Sequence, residues 1–119
     1  MKKTLVIGAS ENTERYANMA MALLKQYGHP VLAIGNREGM AHGIAIEKGK
    51  PVFEDVDTVT LYVGPRNQPE FYDYLLQLKP KRVLFNPGTE NPTLESMLQE
   101  NGIATEEACT LVLLRTGNY

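Results

Sequence analysis

The stretch best suited to chemistry is Gly8-Ala9-Ser10-Glu11-Asn12-Thr13-Glu14-Arg15, which opens with a glycine after an apolar run and closes on a guanidinium. Gly8 permits a tight turn. Ser10, Asn12 and Thr13 are residue types that accept hydrogen bonds at a helix start. Free N–H groups and the positive dipole end at such a start suit a phosphate. The dinucleotide fingerprint Gly-x-Gly-x-x-Gly is absent, because Ser10 stands where its second glycine would let backbone approach a pyrophosphate. The loop reads either as a phosphate cradle or as a capped turn without a ligand. A second candidate is Gly35-Asn36-Arg37. An NAD-binding chain carries Asp or Glu here for the ribose 2′-hydroxyl. Arg37 instead suits planar, bidentate phosphate contact. An adenosine ligand with an additional ribose phosphate, as in NADP or coenzyme A, fits it better than NAD; the alternative is a solvated surface arginine. Gly64-Pro65-Arg66-Asn67 and Asn86-Pro87-Gly88-Thr89 are two further small polar loops. They are explained by turn chemistry or by one shared crevice.

No catalytic or metal constellation accompanies these loops. His29, His42 and the single cysteine, Cys109, are too few and too scattered for a structural zinc site. His42 lies in a glycine-rich loop, but no carboxylate, Ser or Cys is placed by sequence to orient it as a base. Cys109 reads as a buried thiol. The sharper alternative, a mixed disulfide with a ligand thiol, needs a lowered pKa and access.

The elements that must carry these loops alternate strand with helix. Thr4–Ile7, Val31–Ile34, Val59–Val63 and Arg82–Phe85 are short apolar runs, each followed by turn residues. Helical spacing joins Ala17, Ala20, Leu23, Leu24 and Tyr27, with Gly28 beyond the end. It recurs at Phe71, Tyr74, Leu75 and Leu78, and at Leu94, Met97 and Leu98 behind an Asn91-Pro92 start. A small hairpin is expected between Ile44–Ile46 and Val52–Phe53, turning at Lys48-Gly49. Ile103–Thr105 makes a short fifth strand, and Leu111–Leu114 a terminal helical turn. Continuous rather than alternating apolar strands imply a parallel sheet covered on both faces. The expected fold is one α/β domain over residues 1–119, a doubly wound, Rossmann-like parallel sheet of about five strands. In such a sheet ligands sit beyond the carboxyl ends of the strands, where the four loops lie.

Composition agrees with one small domain: the 119 residues are 43% hydrophobic, enough for a single core. A net charge of −2 argues against nucleic acid. No run reaches the ~20 apolar residues of a membrane span, and Lys2-Lys3 precede an apolar run that Gly8 ends too early for a signal peptide. The expected location is cytoplasmic. Leu111–Leu114, Tyr72 and Tyr119 are candidates for a homodimer contact.

Val6-Ile7-Gly8-Ala9-Ser10 with Asn12 and Glu14-Arg15, followed by Gly49-Lys50-Pro51-Val52-Phe53, Leu61-Tyr62-Val63 with Pro65, Gly88, Pro92-Thr93-Leu94 and Cys109, resembles a known family in order and spacing. It is the CoA-binding domain found at the N-terminus of the succinyl-CoA synthetase α subunit and as small free-standing bacterial proteins. The resemblance covers nearly the whole chain. It implies a CoA or acyl-CoA ligand whose phosphates meet Gly8, Ala9, Ser10, Glu11, Asn12 and Thr13, with Arg15 a further partner. It implies Asn36 and Arg37 at the adenosine phosphate, Gly64 and Pro65 on the crevice, and Phe85, Asn86, Pro87 and Gly88 along the pantetheine path, with Cys109 near its end. The chain departs from the family at Gly35-Asn36, where Asn-Pro is usual, and at Glu107-Ala108-Cys109, where Asn-Arg-Cys is usual.

Three functions follow. The first is a CoA-binding module without its own catalytic centre. The second is an NADP-binding oxidoreductase-like protein, which lacks room for a substrate domain. The third is a ligand-free interaction module that keeps a vestigial crevice.

Overall fold

Strand β1 (Thr4–Ile7) is buried along its whole length. Its alternate side chains feed two cores, which is why the apolar run is continuous. Leu5 and Ile7 join one core and Val6 the other. The computed structural model describes residues Met1–Tyr119. Helix α1 (Tyr16–Gln26) buries Ala17, Ala20 and Leu24 of the expected stripe and adds Met21, while Leu23 is half-buried and Tyr27 is exposed. Gly28 turns the chain at φ +84 into β2 (Val31–Ile34). The hairpin β3 (Gly39–Ala41) and β4 (Ile44–Glu47) follows. Residues 48–57 then cross without a helix to β5 (Thr58–Leu61). Two 3-10 turns lead into α2 (Tyr72–Leu78), which β6 (Arg82–Phe85) follows. Asn91 caps α3 (Pro92–Glu100) by accepting the Leu94 N–H at 3.2 Å. Strand β7 (Ala104–Glu107) and α4 (Thr110–Arg115) complete the chain.

The sheet runs β3-β4-β2-β1-β5-β6-β7. Every pairing is parallel except that of β3 with β4. Helices α2 and α3 pack on one face through Leu75, Leu94 and Leu98, and α1 and α4 on the other through Met21, Leu24 and Leu114. This is the expected doubly wound, Rossmann-like α/β sheet, but with seven strands rather than five.

The two additional strands come from the hairpin, whose position also differs. It joins 39–41 to 44–47 and turns at His42-Gly43, not at Lys48-Gly49. Both turn residues take positive φ, +54 and +76, as a tight two-residue hairpin requires. His is an unusual residue there, which hides the turn from sequence. Ala33 and Ile34 pair with Ile46 and Glu47, so β4 extends the parallel sheet. Val52 and Phe53 lie outside any strand, and Val52 is 90% exposed.

The strand expected at 59–63 spans 58–61, and that expected at 103–105 spans 104–107. Of the residues nominated for a homodimer contact, Val112 is 53% exposed, whereas others are used within the chain. Leu111 and Leu114 are buried, and Tyr72 Oη accepts from Asn91 Nδ2 at 2.9 Å. Tyr119 bonds Thr4 and stacks against Arg82, whose guanidinium carbon lies 4.5 Å from the ring centre.

Candidate functional site

The carboxyl ends of β1, β2, β4 and β5 surround a cleft of about 1020 Å³. Two glycines let its loops close up. A Cβ on Gly35 would lie 2.4 Å from the Ala9 carbonyl oxygen, and one on Gly8 2.8 Å from the Tyr62 carbonyl oxygen. Gly8 also needs its φ of +96. The Ile34 carbonyl oxygen accepts both the Gly8 and Ala9 N–H groups at 2.9 Å, so β1 and β2 share one rigid junction.

The loop after β1 is held by its own side chains. Ser10 Oγ accepts the Asn12 N–H at 3.0 Å, and Asn12 Oδ1 accepts the Glu14 N–H at 2.9 Å. These are local turn bonds rather than caps of α1, whose N-cap residue is Arg15. The N–H groups of Ser10, Glu11 and Thr13 have no acceptor in the protein. Ser10, Glu11, Asn12 and Arg15 all face the cleft.

Four cations ring this cleft: Arg15, Arg37, Lys48 and Lys50. All four are exposed, and none is in an ion pair. The two ion pairs of the chain, Lys81–Asp57 and Arg82–Glu106, lie elsewhere. Lys50 rests over the Phe71 ring, 5.1 Å from its centre. The carboxylates on the wall are Glu11 and Glu70. Glu11 is turned aside, its Oε2 accepting the Met40 N–H at 3.0 Å. A chain with a net charge of −2 thus gathers four cations against two carboxylates in one place. Such a local excess of positive charge attracts anions. Tyr62 lines the floor; its buried hydroxyl has no hydrogen-bond partner, and burial pushes its pKa up to about 12, so it stays a neutral phenol.

Of the residues singled out in the sequence, the cleft brings together Gly8, Ala9, Ser10, Glu11, Asn12, Arg15, Asn36, Arg37 and Gly64. Thr13, Pro65, Pro87 and Gly88 are exposed but off its wall. Phe85 is wholly buried in the α2–α3 core. Asn86 is 2% exposed and fully committed. Its Nδ2 donates to Thr60 Oγ1 at 2.7 Å and to the Leu61 carbonyl at 2.8 Å, and its Oδ1 accepts the Thr110 N–H at 2.8 Å. Phe85 and Asn86 therefore do not offer a surface to the cleft. Cys109 is half-buried at the start of α4, off the wall.

Asn67, from the Gly64–Asn67 loop, also lines the cleft, and Lys48, Lys50, Glu70 and Phe71 do so without having been singled out for it. The signal for the two lysines was their place directly after a strand. It was masked by reading Lys48-Gly49 as the hairpin turn. Gln68, 1% exposed, fixes the wall beside them: its Nε2 donates to the Val63 and Thr89 carbonyls at 2.9 and 2.7 Å. A smaller cleft of about 410 Å³ opens between Val52-Phe53 and α2 and shares Lys50 and Glu70 with the larger. Only the larger one lies at the strand ends and gathers all four cations. No group of three His, Cys, Asp or Glu lies close enough to hold a metal ion.

The family described as CoA binding domain matches residues 2–115. A crystal structure of an uncharacterized protein is 52% identical, covers 100% of this chain and 98% of its own, and superposes with a TM-score of 0.97. The Thermus thermophilus protein cell-free ID.343 is 24% identical, with coverage of 99% and 91% and a TM-score of 0.83. A dinucleotide-forming acetyl-coenzyme A synthetase of Ca. Korarchaeum cryptofilum, solved with phosphate and ADP, is 18% identical. It covers 89% of this chain with 25% of its own, at a TM-score of 0.71. No functionally curated protein matches the chain.

Proposed function

The chain belongs to the CoA-binding domain family, and on that premise we propose that the cleft over β1, β2, β4 and β5 binds coenzyme A or an acyl-CoA in the cytosol, as a module without its own catalytic centre. The observation that carries the reading is the set of four unpaired cations around one cleft. Coenzyme A suits that set because it has phosphate at two places, a pyrophosphate and a ribose 3′-phosphate. Ser10 and Glu11 offer N–H donors, and Arg15 a charge, to the pyrophosphate. Arg37, Lys48 and Lys50 lie beyond the adjacent strands β2 and β4 and take the 3′-phosphate. An exposed Arg makes bidentate contact there, whereas the lysines act as point charges. NAD has no phosphate at this end and leaves three cations unused.

Thermal unfolding with coenzyme A, 3′-dephospho-CoA, NADP and NAD at millimolar concentration tests the reading. A ligand at 100 times its Kd adds about 2.7 kcal/mol. In a domain of this size that is on the order of ten degrees in Tm. The expected order is coenzyme A first and dephospho-CoA well below it. A larger shift with NADP would reassign the cofactor. No shift with any of the four would favour an interaction module.

A further inference from the structure

The β3–β4 hairpin holds the β1–α1 loop at two points, neither of them part of the sheet's own pairing. At the first, Glu11 Oε2 accepts the Met40 N–H at 3.0 Å. Residue 39 is glycine, and that makes the room: a Cβ there would lie 2.5 Å from the Glu11 carboxyl carbon. At the second, His42 Nε2 and Asn18 Oδ1 lie 2.8 Å apart, and Asn18 Nδ2 donates to the Ser10 carbonyl at 2.9 Å. Asn18 is 3% exposed, so one buried amide joins the hairpin tip to the loop. Lys25 Nζ donates to the His42 carbonyl at 2.6 Å and steadies the tip. His42 adopts φ +54 to reach this position, the left-handed region that most residues other than glycine avoid.

The residues gripped, Ser10 and Glu11, line the cleft and have backbone N–H groups without an acceptor in the protein. A mobile loop would have to be ordered by each incoming phosphate, and that entropy would be subtracted from affinity. We infer that the β3–β4 hairpin is a clasp that preorganises the anion-binding loop, with Glu11, Asn18 and His42 as positioning residues. Its ligand rests on the CoA reading; its mechanics do not. The Glu11 side chain contributes through Met40 rather than by touching the ligand, so its carboxylate is kept off the phosphates while its backbone N–H stays free for them. Coupling of this kind is reciprocal, so a ligand on the loop also steadies the hairpin.

Two substitutions release one fastener each without straining the backbone. Gly39→Ala displaces only the flexible end of Glu11, since φ at residue 39 is not positive. His42→Gly removes the imidazole and relieves the positive φ. The first readout is the amide order parameters of residues 10–13 without ligand. They should fall from roughly 0.85 toward roughly 0.6 in both variants, with Tm held in Gly39→Ala and lowered in His42→Gly, which leaves the buried Asn18 Oδ1 unpaired. The second is the calorimetric Kd for coenzyme A. It should weaken by roughly 2- to 12-fold per fastener, the effect of one net hydrogen bond. His42→Gln, which keeps a donor near the Nε2 position, should recover most of both. Order parameters that stay at the wild-type value in both variants would overturn the clasp, whatever coenzyme A does. A loosened loop with unchanged Kd would overturn its role in binding. If the loop loosens but wild-type protein binds no coenzyme A, the clasp stands and the CoA reading falls.

Discussion

Replacing Asn86 with alanine separates two roles for a residue that follows β6. The family resemblance sets Asn86 along the ligand path, where its loss would weaken binding and leave stability intact. In the fold, Asn86 ties three segments: β5 through Thr60 and Leu61, the end of β6 that bears it, and the start of α4 through Thr110. Truncation strands the buried Thr110 N–H, which costs about 2 kcal/mol. The two bonds donated by Nδ2 add about 1 kcal/mol each. Thr60 Oγ1 keeps its 2.8 Å bond with Thr110 Oγ1, which limits its share. The expected loss is about 3 kcal/mol, a large part of the ~5–15 kcal/mol that stabilises a typical domain. Urea unfolding of Asn86→Ala at neutral pH should show the midpoint reduced accordingly with an unchanged m-value. Coenzyme A affinity, measured well below the lowered Tm, should stay within about threefold of wild type, an energy below that of one net hydrogen bond. A loss of stability under ~1 kcal/mol, together with a large loss of affinity, would refute the structural role.

Three further expectations concern charge and space. Burial, with the N-terminal amine, Lys2 and Arg82 nearby, lowers the His29 pKa, and its Nδ1 accepts the Lys2 N–H at 3.0 Å in the neutral form. Because the folded pKa lies below the unfolded one, near 6.5, the contribution is complete above about pH 6.5 and is lost as pH falls through the folded value. Denaturation between about pH 7.5 and 5 should show that decline, and His29→Gln should flatten it. Lys48→Ala with Lys50→Ala should weaken coenzyme A binding by roughly tenfold at low salt, and dephospho-CoA binding far less, with the difference shrinking as salt screens the charges. Equal losses for the two ligands in a titration series would remove these lysines from the 3′-phosphate. Gly35→Ala, with its Cβ 2.4 Å from a backbone oxygen, should cost roughly 1–3 kcal/mol and disturb the cleft. Gly49→Ala meets no atom within 4 Å and should cost only about 1 kcal/mol, for its φ of +77; unfolding of the two variants side by side checks the contrast.

Much of this molecule was legible before folding. Short, continuous apolar runs at Thr4–Ile7, Val31–Ile34 and Arg82–Phe85, bounded by turn residues, fit strands covered on both faces, and the helical stripes between them imply a parallel sheet. Local composition also marked the loops after β1 and β2, because Gly8 and Arg37 have conformational and charge properties that do not depend on distant residues. Tertiary structure alone decided the rest. Strand β4 exists because Ile46 and Glu47 find partners in Ala33 and Ile34, and that non-local pairing carries Lys48 and Lys50 to the cleft. Asn86 turns inward because Thr60, Leu61 and Thr110, distant in sequence, converge on its amide. A buried amide must be satisfied by whatever backbone and hydroxyls the fold brings to it, and no local pattern of residues records which those are.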